Sequence, residues 1–186
     1  MTALALDGPF AFGNATSFGQ SPKMPMNEAQ FEAFYRSTAG SIWSYIYRMV
    51  GNPSTADDLL QKTFFRFIRS NPALSNEDHL RRYVYKTATN LVFDHFRESK
   101  RHREYVEVAV PEFRTEQNEL RHDMMRVFSE LKPQERALLW LAHVEGCSHA
   151  EVAETLGVKE KSVQVMLFRA SKRLGDLLSK RGLAPS

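Results

Sequence analysis

A single cysteine, Cys147, in 186 residues leaves an internal disulfide with nothing to join and suits a reducing compartment. No apolar run approaches the ~20 residues of a membrane span, so no membrane insertion is expected. The first two dozen residues lack the basic start and sustained apolar core of a secretory signal. Strand-like alternation is missing too, as is any internal repeat or heptad run. The chain has no phosphate-cradling glycine loop, no hydrolytic triad and no acid–base carboxylate pair. The expectation is therefore a protein that is not an enzyme and uses no cofactor. His143, Cys147 and His149 cluster in sequence, but a closed zinc site needs a fourth ligand, so no metal is expected.

What the chain has is charge gathered in blocks. The net charge is only +3 and the pI is near 9.0. The bases concentrate in 97–103 (RESKRHR) and 159–181, while acids pair at Asp57 and Asp58. A solvated face accounts for one such block. Two blocks, one of them on a helix-turn-helix, favour contact with nucleic-acid phosphates. Residues 1–25 are rich in Gly, Pro, Ser and Phe without a period and read as a flexible tail.

Helical punctuation fills the remainder. Asn27 with Gln30 caps a helix running to about Val50, before Gly51-Asn52-Pro53. Ser54 with Asp57 starts a second helix, with Leu60, Phe64, Phe67 and Ile68 as its apolar side and Asn71-Pro72 as its end. A third runs from about Glu77 to Ser99. Its Leu80, Tyr83, Val84, Thr87, Ala88, Leu91, Val92 and His95 follow the i, i+3, i+4, i+7 pattern. These three helices predict one domain over 26–99, followed by a linker over 100–115.

A second helical domain, 116–182, holds the most informative stretch. Pro133 suits a first helical turn, and Gly146 ends that helix with a left-handed residue. Ser148 and Glu151 form a capping box for a short helix that buries Val152, Ala153 and Leu156. Gly157 turns the chain. A longer helix from about Glu160 buries Val163, Leu167, Ala170, Leu174 and Leu177. A short helix, a glycine turn and a basic second helix are what major-groove insertion requires. The fold class is all-α: a helical bundle and a helix-turn-helix domain joined by a flexible linker.

The third helix carries residues its core does not need. Opposite the apolar stripe stand Arg82, Tyr85, Lys86, Thr89, Asn90 and Phe93, followed by Arg97. Rings beside cations and an amide suit unpaired bases, which stack on rings and hydrogen-bond along their edges. The plainer reading is that Phe93 packs against a neighbouring helix and Tyr85 is merely amphipathic. Asp57 and Asp58, beside Gln61, either complement the dipole at a helix N-terminus or dock a basic protein partner. Residue physics leaves both open.

Four segments, in order, resemble the extracytoplasmic-function (ECF) sigma factors, the small two-domain sigma subunits of bacterial RNA polymerase. Asp58-Leu59-Leu60-Gln61-Lys62-Thr63-Phe64-Phe65-Arg66 resembles D-L-x-Q-x-x-F-x-R, and Tyr85-Lys86-Thr87-Ala88-Thr89-Asn90-Leu91 with Asp94 resembles Y-R-x-A-x-N-L…D. Leu131-Lys132-Pro133-Gln134-Glu135-Arg136 resembles L-x-P-x-E-R. Glu145 to Val158 resembles E-G-x-S…E-I-A…L-G-V. The resemblance spans 31–178.

That resemblance implies a protein that binds core RNA polymerase, directs it to promoters and promotes their melting in the cytoplasm. Asp58, Gln61 and Arg66, with Asp57 beside them, would form the polymerase-binding helix. Arg82, Tyr85, Lys86, Thr89, Asn90, Phe93 and Arg97 would meet the melted minus-ten element, with the loop 70–78 holding a flipped base. Lys161, Ser162, Gln164, Val165, Phe168, Arg169, Lys172 and Arg173 would face the minus-thirty-five duplex. An anti-sigma factor is an implied partner. The chain departs from the family at Gln164-Val165-Met166, where relatives often carry a basic-serine-basic triplet. Glutamine suits adenine and valine a thymine methyl, so an unusual minus-thirty-five sequence is expected. Two rivals stand beside this reading. One is a stand-alone helix-turn-helix regulator, against which the face of the third helix counts. The other is an interaction module sequestering a sigma or anti-sigma partner, against which the two basic blocks count.

Overall fold

The computed structural model describes residues 26–70, 72, 76–102 and 116–183. Among these, seven helices and no strand occur: α1 (Glu28–Val50), α2 (Pro53–Ser70), α3 (Glu77–His102), α4 (Glu116–Ser129), α5 (Pro133–His143), α6 (His149–Leu156) and α7 (Glu160–Lys180). The expected all-α class is observed. The expected tail, most of the linker and part of the loop before α3 lie outside the described residues.

Local hydrogen bonds explain where the helices begin and end. Asn27 Oδ1 accepts from the Gln30 N–H at 2.8 Å, and Gln30 Oε1 accepts from the Asn27 N–H at 3.0 Å, a complete capping box. Gly51, at φ 75°, closes α1 by donating to the Tyr47 carbonyl. The start of α2 differs from expectation. Asn52, not Ser54, is its cap: the Asn52 side chain accepts from the Thr55 N–H at 2.9 Å, and Pro53 occupies the first turn. The Ser148–Glu151 box forms as expected. Gly146 is left-handed, at φ 65°, but α5 already ends at His143. The glycine belongs instead to the turn that lets the Cys147 N–H reach back to the Leu141 carbonyl at 2.9 Å.

The first three helices share a core built from Ile42, Ile46 and Met49 of α1, Leu59, Phe64 and Phe67 of α2, and Leu80, Val84 and Val92 of α3. The buried face of α2 is rotated from the expected one: Leu59 and Thr63 are buried, Leu60 is half-buried, and Ile68 is 55% exposed. Thr63 tolerates burial because its hydroxyl donates to the Leu59 carbonyl at 2.7 Å, leaving only a methyl to pack. The second group packs around Val127, Leu138, Leu141, Val152, Val163 and Ala170. The two groups also touch each other. α4 and α5 pack on α1, and α5 and α6 pack on α3.

Candidate nucleic-acid interface

In α7 the inner face buries Val163 and Ala170, and the outer face presents Lys161, Gln164, Val165, Phe168, Arg169 and Lys172 to solvent. Phe168 is 70% exposed, an aromatic ring with no packing role in the fold. Gly157, at φ 65°, donates its N–H to the Ala153 carbonyl and sets the angle between α6 and α7. Ser162 is half-buried, with its N–H on the Lys159 carbonyl. Arg173 lies 3.7 Å from Glu135, the residue whose carboxylate also accepts from the Lys132 N–H at the start of α5. Arg173 is thereby tied into the domain as well as facing outward.

On α3 the structure corrects the expected aromatic face. Tyr85 is 4% and Thr89 0% exposed, and Phe93 is half-buried. The Thr89 hydroxyl donates to the Tyr85 carbonyl at 2.7 Å. A hydroxyl has one proton to give, so Thr89 accepts from the Tyr45 phenol, also at 2.7 Å. The Tyr45 and Tyr85 rings meet edge to face at 5.4 Å. Burial pushes both phenols well above their ordinary pKa, and the Glu145 carboxylate adds to the effect on Tyr85. Among the described residues the Tyr85 hydroxyl makes no hydrogen bond of good geometry, although Glu145 lies near it. The physical reason is that α3 has two sets of neighbours. α1 and α2 cover one side, α5 and α6 another, so its buried arc is wider than a single stripe.

What remains outward on α3 is polar. Lys86, Asn90 and Arg97 are exposed, with Arg97 paired to Asp94, and Arg82 is half-buried. Three cations of α3 have partners from the second group of helices. Arg82 meets Glu151 at 2.5 Å, Lys86 meets Glu154 at 3.5 Å, and Arg81 meets Glu145 at 3.7 Å. Hydrogen bonds from the Ser148 main chain and side chain, then from Arg82, hold the Glu151 carboxyl below the usual range. No sequence pattern singles out Arg81 or the three glutamates for this contact, because nothing local links positions about seventy residues apart. Arg136 crosses the same seam. Its guanidinium donates to the Met49 carbonyl and lies over the Phe96 ring at 5.1 Å from the centroid. Its Nε finds no partner among the described residues, and burial lowers its pKa to about 10.

On α2, Asp57, Asp58, Gln61 and Arg66 are all exposed. Asp57 also accepts from the Trp43 indole N–H at 2.7 Å, which ties α2 to α1. Two exposed rings that the sequence pattern does not single out stand beside them. Phe65 lies under Arg69, whose guanidinium carbon is 5.7 Å from the ring centroid, and Tyr35 stands edge-on to Phe64 at 4.7 Å. Phe65 sits inside the matched motif at a position that demands no residue type, so the motif carries no signal for it. Among the described residues no cluster of three or more His, Cys, Asp or Glu is placed to hold a metal ion. The Cys147 thiol is half-buried and pushed up to about 11, mainly by burial, which disfavours the reactive thiolate. No helix among the described residues is long and apolar enough to cross a membrane.

Residues 34–102 match the family Sigma-70 region 2, and residues 121–174 match Sigma-70, region 4. The chain is 30% identical over 172 residues to the ECF RNA polymerase sigma factor SigE of Mycolicibacterium smegmatis, an overlap of 87% of this chain and 65% of that protein. It is 28% identical over 162 residues to the ECF RNA polymerase sigma factor BldN of Streptomyces coelicolor, covering 80% of this chain and 60% of BldN. It therefore spans slightly less than two thirds of the length of these two relatives. With the ECF RNA polymerase sigma factor SigC of Mycobacterium tuberculosis it shares 27% identity over 182 residues, 94% of both chains. The sigma factor RpoE from Bartonella quintana, solved in complex with the anti-sigma factor NepR, shares the fold at TM-score 0.67 and 18% identity, over 80% of this chain and 96% of RpoE.

Proposed function

We propose that this chain, which belongs to the ECF sigma factors of the sigma-70 family, binds core RNA polymerase, directs it to promoters with minus-thirty-five and minus-ten elements, and promotes their melting. The observation that carries the reading is the pairing, in one chain, of a region 2 match on α1–α3 with a region 4 match whose α7 turns Gln164, Val165, Phe168, Arg169 and Lys172 to solvent. Those α7 residues, with Lys161, Ser162 and Arg173 at the margins, read upstream duplex. Asp57, Asp58, Gln61 and Arg66 on α2 meet the polymerase.

Arg82, Lys86, Asn90 and Arg97 on α3, with the loop before it, hold the melted strand, while Tyr85, Thr89 and Phe93 brace the helix from inside. The bond-making chemistry stays with the polymerase, so the chain is a factor and not an enzyme, and it works in the cytoplasm. An anti-sigma factor belongs to the same reading, since RpoE, which shares this fold, is bound to one.

Run-off transcription tests it: core polymerase with and without the purified chain, on genomic fragments, with start sites mapped. Discrete transcripts that need the chain are expected. Their absence from every fragment overturns the proposal, and tight duplex binding without polymerase turns it toward a stand-alone regulator.

A further inference from the structure

The fold settles half of a question that residue types leave open at Asp57. α2 begins at Pro53 and takes its cap from Asn52, so no acid stands in its first turn. A helix dipole acts on charges within that turn. Asp57 lies beyond it, so complementing the helix start does not account for this carboxylate.

Its contact is with Trp43 of α1. The indole N–H donates to Asp57 Oδ1 at 2.7 Å, the short end for an N–H donor and the length expected when the acceptor is ionised. The indole is itself held. It stacks on Tyr47, one turn further along α1, with ring centroids 5.1 Å apart and planes 14° from parallel. Half-buried and stacked, the ring is fixed before any partner arrives. A phenylalanine at this position could pack and stack as well but would offer no donor.

We propose that Trp43 is a positioning residue for the polymerase-facing surface of α2: its indole fixes the Asp57 carboxylate in the orientation in which it meets a cationic side chain of the partner. An ionised carboxylate has about four acceptor sites. The indole takes one, and the exposed group offers the others outward. Gln61, four residues on and also exposed, shares that face and adds an amide oxygen. Holding the carboxylate in advance removes the ordering cost that a free side chain incurs on binding. This role rests on the reading of α2 as the polymerase-binding helix, whereas the indole–carboxylate bond lies within the chain.

The test uses the full chain and core polymerase, with Trp43→Phe placed in the wild type, in Asp57→Ala and in Asp58→Ala. Helical circular dichroism verifies folding. In the free chain, the indole N–H resonance that Trp43→Phe removes should move upfield in Asp57→Ala, which reports the bond itself. Trp43→Phe alone is expected to weaken core binding about fivefold, the scale of ordering one side chain. The same loss is expected in Asp58→Ala and none in Asp57→Ala, because the indole acts only through Asp57. Rising salt should weaken the wild type more steeply than Asp57→Ala, which has no carboxylate to pair with a cation. Equal losses in all three backgrounds, no loss in any, or an unmoved indole resonance overturn the positioning role, and equal salt slopes overturn the cationic partner. Full affinity in both Asp57→Ala and Asp58→Ala overturns the assignment of α2 to the polymerase, and the role of Trp43 with it.

Discussion

The phenol of Tyr45, on α1, donates to the hydroxyl of Thr89, on α3, at 2.7 Å, and both groups are buried. Thr89 gives its own proton to the Tyr85 carbonyl, so one short chain of hydrogen bonds spans two helices. Replacing Thr89 by valine keeps the shape and strands the Tyr45 hydroxyl without an acceptor. A loss of about 1–3 kcal/mol is expected in chemical denaturation, against ~1 kcal/mol for Tyr45→Phe, which leaves the Thr89 bond to Tyr85 intact. A Thr89→Val protein as stable as the wild type would refute this account and return Thr89 to the DNA-facing role.

The same two phenols set an alkaline limit. Tyr45 and Tyr85 have folded-state pKa values raised above the ordinary value of 10.0 that the unfolded chain keeps. Their contribution is fully present below pH ~10. Above it the unfolded chain releases protons that the folded chain retains, so stability falls as pH rises. Ultraviolet titration should show Tyr45 and Tyr85 ionising only together with loss of helicity. Smooth titration of every tyrosine in a folded chain contradicts it.

Legibility in the sequence follows range. The Asn27–Gln30 and Ser148–Glu151 boxes are local, three residues apart, and their residue types alone announce them. The buried face of α2 is easily misread because Thr63 counts as polar, although its hydroxyl is satisfied within its own helix. Tyr85 and Thr89 are misplaced by the pattern for a different reason. Amphipathic spacing reports that a helix has an inside, but not that α3 has a second one, made by α5 and α6. In the candidate site the residue types of α7 are legible because Gln164, Val165, Phe168, Arg169 and Lys172 stay exposed. The partners of Arg82 and Lys86 are not, since they come from the second group of helices, whose docking no local pattern encodes.

Gly157 offers a clean test of the turn in the helix-turn-helix. At φ 65° its backbone is left-handed, and a Cβ there would meet nothing within 4 Å. The cost of Gly157→Ala is then conformational alone, about 1–2 kcal/mol, and should appear as a lower thermal midpoint. Asparagine tolerates that region better, so Gly157→Asn should recover part of the loss. If alanine and asparagine prove equally harmful, a steric clash is responsible and the turn is not open.

On the proposed function, recognition by α7 divides between reading and holding, and two substitutions separate them. Gln164 is exposed, and a side-chain amide matches the N6 and N7 edge of adenine. Gln164→Ala in the polymerase complex should therefore lose about 1–3 kcal/mol at one base pair and little at the others. Lys172, about two turns further along the same exposed face, offers only charge. Lys172→Ala should weaken every promoter alike and lower the salt slope by about one. Competition among promoter fragments mutated one position at a time distinguishes the two patterns. A uniform loss for Gln164→Ala would mean that this helix takes its specificity elsewhere, with exposed Phe168 and Val165 against thymine methyls as the remaining source.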